Sequence, residues 1–348
     1  MRYALDELKR FAAELLAAAG LDVDKAVIVS RYLVQADAMG HTTHGLAQLP
    51  DYLEEILSGA MRTRGEPKVI SDRGMAIVWD GERLPGVWLT AKAVELAADR
   101  ASMHGLCALA IRRSHHIGCL ASFLPIATDH GLLALIACSD PSAAMVAPFG
   151  GRAAVFTPDP IAVGIPTDRD PILIDMSSSI TTAAMSARLR REGRRFPGLW
   201  AIDAEGRSTD DPNALVADPP GSLLGTGGPD HGHKGYGMAL MVEALTQGLA
   251  GHGRADGESG WGASVFVQVF DPELFAGGAA FERQTGFIAD LCEASPPIDP
   301  TRPVRLPGAA ALARLREAES QGLEPHRGIM EDLVVFARRH SVAAPRSI

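Results

Sequence analysis

The sequence predicts an α/β protein with mainly helical segments at both ends and a strand–helix alternation between them. Three observations carry that expectation. Apolar residues near both termini recur at helical spacing, and from Met75 onward short apolar runs alternate with Ala-rich helical stretches. Those short runs are continuously apolar, as strands covered on both faces are.

Taken in order, Leu5, Leu8, Phe11, Ala12, Leu15 and Leu16 share one helical face, and a second helix through 27–35 runs up to Met39-Gly40. After His41-Thr42-Thr43-His44-Gly45 a third helix is expected over 46–56, stopped by Ser58-Gly59, so these histidines stand at a helix start. Residues 76–79 read as a strand closed by Asp80-Gly81, 90–101 as a helix and 106–111 as an apolar strand. A helix near 120–128, a buried strand over 132–138, a Pro/Gly-rich loop over 141–151 and strands over 162–165 and 172–176 follow. Gly, Pro and Asp dominate 203–233 and predict long loops, whereas 238–249 resumes a helical stripe and 265–270 is another strand. Helices over 309–320, stopped by Gly322, and over 329–338 are expected to pack on the N-terminal ones. The expected organisation is a mainly helical domain from 1–74 plus 309–348 and an α/β domain from 75–308.

A chain of 348 residues exceeds the usual size of one domain, which agrees with two. Asp and Glu exceed Lys and Arg by 42 to 33, and the formal charge of −9 argues against nucleic acid as a partner. Cys107, Cys119, Cys138 and Cys292 form no C-x-x-C pair, and two lie in apolar runs, as reduced core cysteines do. A cytoplasmic protein is expected. The N-terminus lacks a basic patch followed by an apolar stretch, and no uncharged run is long enough to span a bilayer, so neither export nor a membrane is expected.

The nearest nucleotide-binding signal is Gly225-Thr-Gly-Gly-Pro-Asp-His-Gly-His-Lys234, which lacks the last glycine of G-x-G-x-x-G and follows no apolar strand. A Rossmann fingerprint is therefore absent. It is no P-loop either, because Gly235 stands where Ser or Thr would hold magnesium. What remains is Lys234 in a glycine-rich turn before a helix, a setting that suits a pyrophosphate or serves as a plain helix cap. His231 and His233, with His115 and His116, lack a carboxylate or cysteine at a recognised ligand spacing, so no metal is expected. His44 and His116 stand in turns at element boundaries, where a side chain can carry the proton that accompanies hydride transfer or simply sit at the surface. Asp175, ending an apolar strand before Ser177-Ser178-Ser179, can bind a ribose hydroxyl or cap the following helix.

Together these segments resemble the malate/L-lactate dehydrogenase family that is distinct from Rossmann-type dehydrogenases and also includes ureidoglycolate, sulfolactate, diketogulonate and cyclic-imine reductases. The pieces that carry the likeness occur in family order across nearly the whole chain. They are Asp37-Ala-Met-Gly-His-Thr-Thr-His-Gly45, Ser114-His-His-Ile-Gly118, Val146-Ala-Pro-Phe-Gly-Gly151, Pro160-Ile-Ala-Val-Gly-Ile-Pro166, Asp175-Met-Ser-Ser-Ser179, His233-Lys-Gly-Tyr-Gly237 and Leu306-Pro-Gly308. The resemblance implies a non-Rossmann α/β fold whose larger domain binds NAD or NADP, a homodimer and a small-molecule substrate. It implies His116 and His44 as proton carriers and Thr43, Gln48 and Tyr52 on the substrate side. It further implies Ser139, Asp175, Met176, Ser177, His233, Lys234, Pro307 and Gly308 at the cofactor. Asp159 is assigned from its motif position to orient a histidine or read a substrate amine.

Departures cluster near the substrate. Gln48 stands where many members have arginine, and glutamine cannot reproduce a bidentate guanidinium–carboxylate contact. Thr157-Pro158-Asp159-Pro160 and Ala184-Met185 also replace common family patterns, so a retuned pocket is expected. The reaction implied is hydride transfer between nicotinamide and the carbon of a C=O or C=N group beside a carboxylate. The rivals are a family-derived binding protein without turnover and a metal-dependent hydrolase. Arg188, Arg190, Arg191, Arg194 and Arg195 form a run that reads either as a 2′-phosphate site or as a solvated face.

Overall fold

A computed structural model describes residues 1–348. The N-terminal periodicity becomes α1 (Leu5–Ala18), which buries Leu8, Phe11, Ala12, Leu15 and Leu16, and α2 (Val23–Ala38). The third helix is split: a 3-10 turn, Leu46–Gln48, leads into α3 (Leu49–Leu57), where Pro50 occupies a first-turn position that needs no backbone donor.

The centre is one seven-stranded sheet in the order β1-β2-β3-β10-β4-β5-β6. Its strands are β1 (Lys68–Asp72), β2 (Ala76–Asp80), β3 (Leu106–Ser114), β4 (Leu133–Ser139), β5 (Pro160–Ile165), β6 (Ile172–Ser177) and β10 (Ala263–Phe270). Only β2 and β3 pair in parallel, joined by the crossover helix α4 (Gly86–His104), and every other neighbour pair is antiparallel. A doubly wound nucleotide fold is thereby excluded, in agreement with the missing glycine fingerprint.

The sheet register sorts its side chains onto two faces. Leu109, Val267, Ile136 and Ala162, aligned across β3, β10, β4 and β5, join the large core that includes the N-terminal helices and α4. Their neighbours Ala110, Phe266, Ala137 and Ile161 form the opposite face with Val242 of α8 (His233–Glu243) and Ala250. Covering both faces explains the uninterrupted apolar runs. At the C-terminus, α10 (Ala309–Gln321) touches α2, while α11 (Ile329–His340) touches α1 and α3.

Three regions differ from the sequence expectation. β1 is an exposed, bulged edge strand with too little apolar content to be read as a strand. The stretch expected as long loops holds a three-stranded sheet of β7 (Ala201–Ile202), β8 (Ser208–Thr209) and β9 (Ser222–Leu223), then the single turn α7 (Gly228–His231). Two-residue strands are too short to leave a periodic signature, and this unit is held by a small core of Val146, Phe156, Leu189, Phe196 and Leu223. α9 (Gly278–Glu293) turns Phe287, Ile288 and Leu291 outward. The short helices α5 (Pro125–Thr128) and α6 (Ala183–Arg191), the latter capped by Thr182, complete the chain.

Candidate active site

A cavity of about 860 Å³ opens between the His41–His44 turn, the segment after β3, the ends of β4 and β6, and the start of α6. Both histidines of interest line it. The rings of His44 and His116 lie 6.0 Å apart and nearly parallel, at 27°.

The turn carrying His116 is welded to the core. Gly86, at the start of α4, is packed so closely that a Cβ there would sit 2.0 Å from the His115 carbonyl oxygen. His115 is buried and bonds through Nε2 to Glu55 Oε2 at 3.0 Å. The indole of Trp261 stacks on His116 at 4.6 Å, and Tyr52 Oη lies 2.8 Å from His116 Nδ1 and 3.3 Å from its carbonyl oxygen. Burial pushes the Tyr52 phenol up, so it keeps its proton. Nδ1–H can therefore donate to the phenol oxygen while the phenol donates to the carbonyl, which leaves Nε2 with a lone pair. Burial, followed by the neighbouring His44, pushes His116 well below the usual imidazole range.

Polar bonds build the turn carrying His44. Asp37 Oδ2 accepts the Leu46 N–H at 2.9 Å, and Gly45 is required because a Cβ would meet the Asp37 carboxyl at 2.4 Å. Burial raises Asp37 to about 7. Arg188 of α6 donates to Thr42 Oγ1 at 2.9 Å and to its carbonyl at 3.0 Å. Gln48 lines the cavity but donates through Nε2 to the Thr43 carbonyl at 2.7 Å, and Thr43 Oγ1 meets His44 Nδ1 at 2.9 Å. Burial is the main cause that lowers His44, with Asp175 opposing it.

On the opposite wall, Ser139, Asp175, Met176 and Ser177 line the cavity. Ser139 Oγ is anchored to Thr246 Oγ1 at 2.8 Å and to Gln247 Nε2 at 3.0 Å. Asp175 does cap a helix, but not the one that follows it: Oδ2 accepts the Ala121 N–H of the 3-10 turn Leu120–Phe123 at 2.9 Å. Lys234 is the second residue of α8, exposed and without a carboxylate partner, so the sequence-predicted turn is already helix there. The glycine segment before it lies against Ser177–Ser179: a Cβ on Gly235 would come within 2.3 Å of the Ser178 oxygen, and Thr226, which lines the cavity, donates its N–H to that oxygen.

Lys234 itself lies outside the cavity lining, and so do several other expected residues. His233 packs edge-on against Phe149 at 5.6 Å. The Pro307 carbonyl accepts the Leu173 N–H, and Gly308, with φ +86°, is pressed against Leu173 on β6. Tyr52 stands behind His116. Asp159 is fully buried, takes the Thr157 hydroxyl on Oδ1 at 2.6 Å, leaves Oδ2 unpartnered and is raised by burial to about 8. The structure also gathers Trp261 and Asp140, which no motif suggested, and turns Arg188 of the basic run inward. His41, Cys119 and Asp175 bring donor atoms within 4.8 Å of one another, whereas His231 and His233 lie on α7 and α8, outside the cavity that His116 lines.

A mixed sheet with no dinucleotide fingerprint, carrying two histidine turns over one cavity, meets its counterpart in the family model for malate/L-lactate dehydrogenase, which matches residues 3–334. The chain belongs to that family. As a malate/L-lactate dehydrogenase family member it is an NAD(P)-dependent oxidoreductase. The L-lactate dehydrogenase of Cupriavidus necator is 29% identical, with 99% of each chain covered. The (2R)-3-sulfolactate dehydrogenase (NADP(+)) of Chromohalobacter salexigens is 32% identical over 96% of this chain and 97% of its own. Among solved structures, a dehydrogenase from Sinorhizobium meliloti superimposes with a TM-score of 0.85 at 30% identity, covering 97% of this chain and 98% of that one. The Δ1-piperideine-2-carboxylate reductase of Pseudomonas syringae gives 0.83 at 26%, covering 97% and 100%.

Proposed function

We propose that this family member transfers hydride between a nicotinamide cofactor and the carbon of a C=O or C=N group beside a carboxylate, with His116 as the proton carrier. The observation that carries this reading is the pair of histidine rings 6.0 Å apart on opposed turns over one cavity. The cofactor fits the residues present. Lys234 is an exposed cation in the first turn of the eleven-residue α8, a helix N-terminus that favours a pyrophosphate, and the glycines before it let that segment pack closely against Ser177–Ser179 at the cavity wall. Asp175, Met176, Ser177 and Ser139 are assigned to the nucleoside and nicotinamide portions, His233, Pro307 and Gly308 to supporting that wall.

Reduced nicotinamide supplies the hydride when bound. In the oxidative direction His116 takes the proton at Nε2 while Tyr52 fixes the ring through Nδ1. In the reduction of a carbonyl, which brings no proton of its own, the same ring must be protonated at the moment of transfer. Trp261 covers one face of the ring and excludes water there. Thr43 and Gln48 shape the turn from which His44 meets the substrate, and Asp159 supports the Thr157–Pro160 wall from behind.

The same proposal takes residues 1–74 and 309–348 as a helical domain and 75–308 as the cofactor-binding domain. It also takes the active species as a homodimer, a reading supported by the outward-facing Phe287, Ile288 and Leu291 of α9. No helix is long and apolar enough to cross a membrane, and Cys107, Cys119 and Cys138 are buried free thiols, which supports a cytoplasmic setting. Titration with NADH and NADPH tests the cofactor site: Lys234→Ala should weaken binding by about 1.5–3 kcal/mol, the worth of a charge-assisted contact. Unchanged affinity for both cofactors would remove Lys234 from the site.

A further inference from the structure

The cavity walls carry two carboxylates, Asp140 and Asp175, and neither lysine nor arginine. Nearby guanidinium groups are already committed, Arg188 to Thr42 and Arg254 to Glu243 and the Ala143 carbonyl. Burial keeps His44 and His116 mostly uncharged near neutral pH, and His41, the third ring in the wall, has its donor atom within 4.8 Å of Asp175, beside a carboxylate. Much of the remaining polar lining is hydroxyl, as at Thr43, Ser177, Thr181 and Thr226. A dianionic substrate would meet two like charges here with no lysine or arginine in the wall to pair with.

Each carboxylate keeps one oxygen without a hydrogen bond in the chain, and Asp140 is the one joined to the wall that holds His116. Its Oδ1 accepts the Ser142 N–H at 2.9 Å and the Ser142 hydroxyl at 2.7 Å, while Oδ2 makes no hydrogen bond within the chain. The same Ser142 hydroxyl lies 2.8 Å from the Gly260 oxygen, which ties Asp140 to the segment whose Trp261 stacks on His116. Asp175 spends Oδ2 on the Ala121 N–H and the Cys119 thiol and lies beside His41 instead.

Resting on the function proposed above, we propose that the site selects its substrate by charge: it takes an imino acid whose positive nitrogen offsets a single carboxylate, with Asp140 as counter-ion to that nitrogen. Dicarboxylic and sulfonated 2-oxo acids are disfavoured. In the reduction, the carbon of the protonated C=N bond accepts the hydride that the reduced cofactor gives up, and the C=N π pair becomes a lone pair on nitrogen. The imine is reduced and the nicotinamide oxidised. One proton from solvent, passed through His116, then converts the amine to the ammonium. Because the nitrogen arrives with its own proton, the hydride step asks no acid of a mostly uncharged histidine.

The test compares kcat/KM at pH 7 for Δ1-piperideine-2-carboxylate, pyruvate and oxaloacetate with NADH and NADPH. The imino acid should exceed oxaloacetate by at least about tenfold, and Asp140→Asn should shrink that ratio by a similar factor through KM. A parallel titration of pipecolate and malate onto the protein with oxidised cofactor, read by tryptophan fluorescence, should rank them in the same order. Equal or better use of oxaloacetate, tighter malate binding or an unchanged ratio in Asp140→Asn overturns the proposal while leaving the dehydrogenase reading intact. If no compound is turned over, the dehydrogenase reading fails, and the binding order alone then upholds or overturns charge selection.

Discussion

The two histidine turns face one cavity but are built on different principles. Around His116 the contacts are aromatic and rigid: Trp261 stacks on the ring, Tyr52 holds Nδ1, and the α4 backbone at Gly86 leaves no room to shift. Around His44 the contacts are hydrogen bonds from three separate elements, through Asp37 of α2, Gln48 and Arg188 of α6. Close packing holds geometry to a fraction of an ångström, whereas a polar clasp can open and reform. The proposed function gives chemistry to the first turn and substrate capture to the second.

The largest effect that can break this division comes from exchanging the rings. His116→Asn should lower turnover by roughly 100-fold or more with cofactor affinity unchanged, while His44→Asn should raise KM more than it lowers kcat. Steady-state kinetics beside a cofactor titration separates the two, and the reverse pattern would reassign the proton to His44. The pH profile sharpens the point. Since burial depresses His116, its neutral form persists below pH 6.5, so kcat/KM for oxidation should hold into mildly acidic solution and fall only below that. For a 2-oxo acid, whose carbonyl needs a proton from the ring, the reductive rate should decline as pH rises through the same low value.

A second effect belongs to the polar turn alone. Asp37 is raised by burial to about 7, above the ordinary carboxylate value near 3.9, so the folded chain binds more protons there than the unfolded one. Stability from this group is complete below about pH 4 and is lost as pH rises through about 7. Asp37→Asn keeps an oxygen for the Leu46 N–H and removes the charge, and it should flatten the fall in stability between pH 5 and 8 by about 2–4 kcal/mol. Urea unfolding across that range measures it, and an unaltered slope would acquit Asp37.

The same contrast explains what the sequence could reveal. Long apolar periodicities gave α1, α2, the buried strands and the terminal helices, because burial on a helix face or between layers leaves a repeat in the residues themselves. The two histidines stood out by lying in turns. Their supports did not: Trp261 is far from His116 in sequence, and nothing local marks it for stacking there. Arg188 sits in a basic run that reads either as a 2′-phosphate site or as a solvated face, yet it turns inward to Thr42 while Arg194 and Arg195 pair with surface carboxylates. Gln48 departs from the arginine that the family resemblance implies, but that its amide fastens the Thr43 carbonyl required coordinates. Such contacts depend on tertiary approach, which no spacing rule encodes.

Arg188 also supplies the smallest and most specific way to sharpen the comparison. It is the tie between α6, whose Ala184 and Met185 line the cavity, and the turn that carries His44. Two hydrogen bonds from a charged donor to a half-buried threonine are worth a few kcal/mol at most, and part of that is recovered when water enters in the mutant. Arg188→Met removes both bonds yet retains most of the aliphatic stem that packs in α6. It should therefore raise the substrate KM by about three- to tenfold and leave kcat within about twofold. Arg188→Lys should restore only part of the loss, because an ammonium cannot span the Thr42 hydroxyl and carbonyl as a fork does. Cofactor affinity separates this role from a phosphate site: if Arg188→Met weakens NADPH but spares NADH, the guanidinium serves the 2′-phosphate and the clasp between α6 and the His44 turn is incidental.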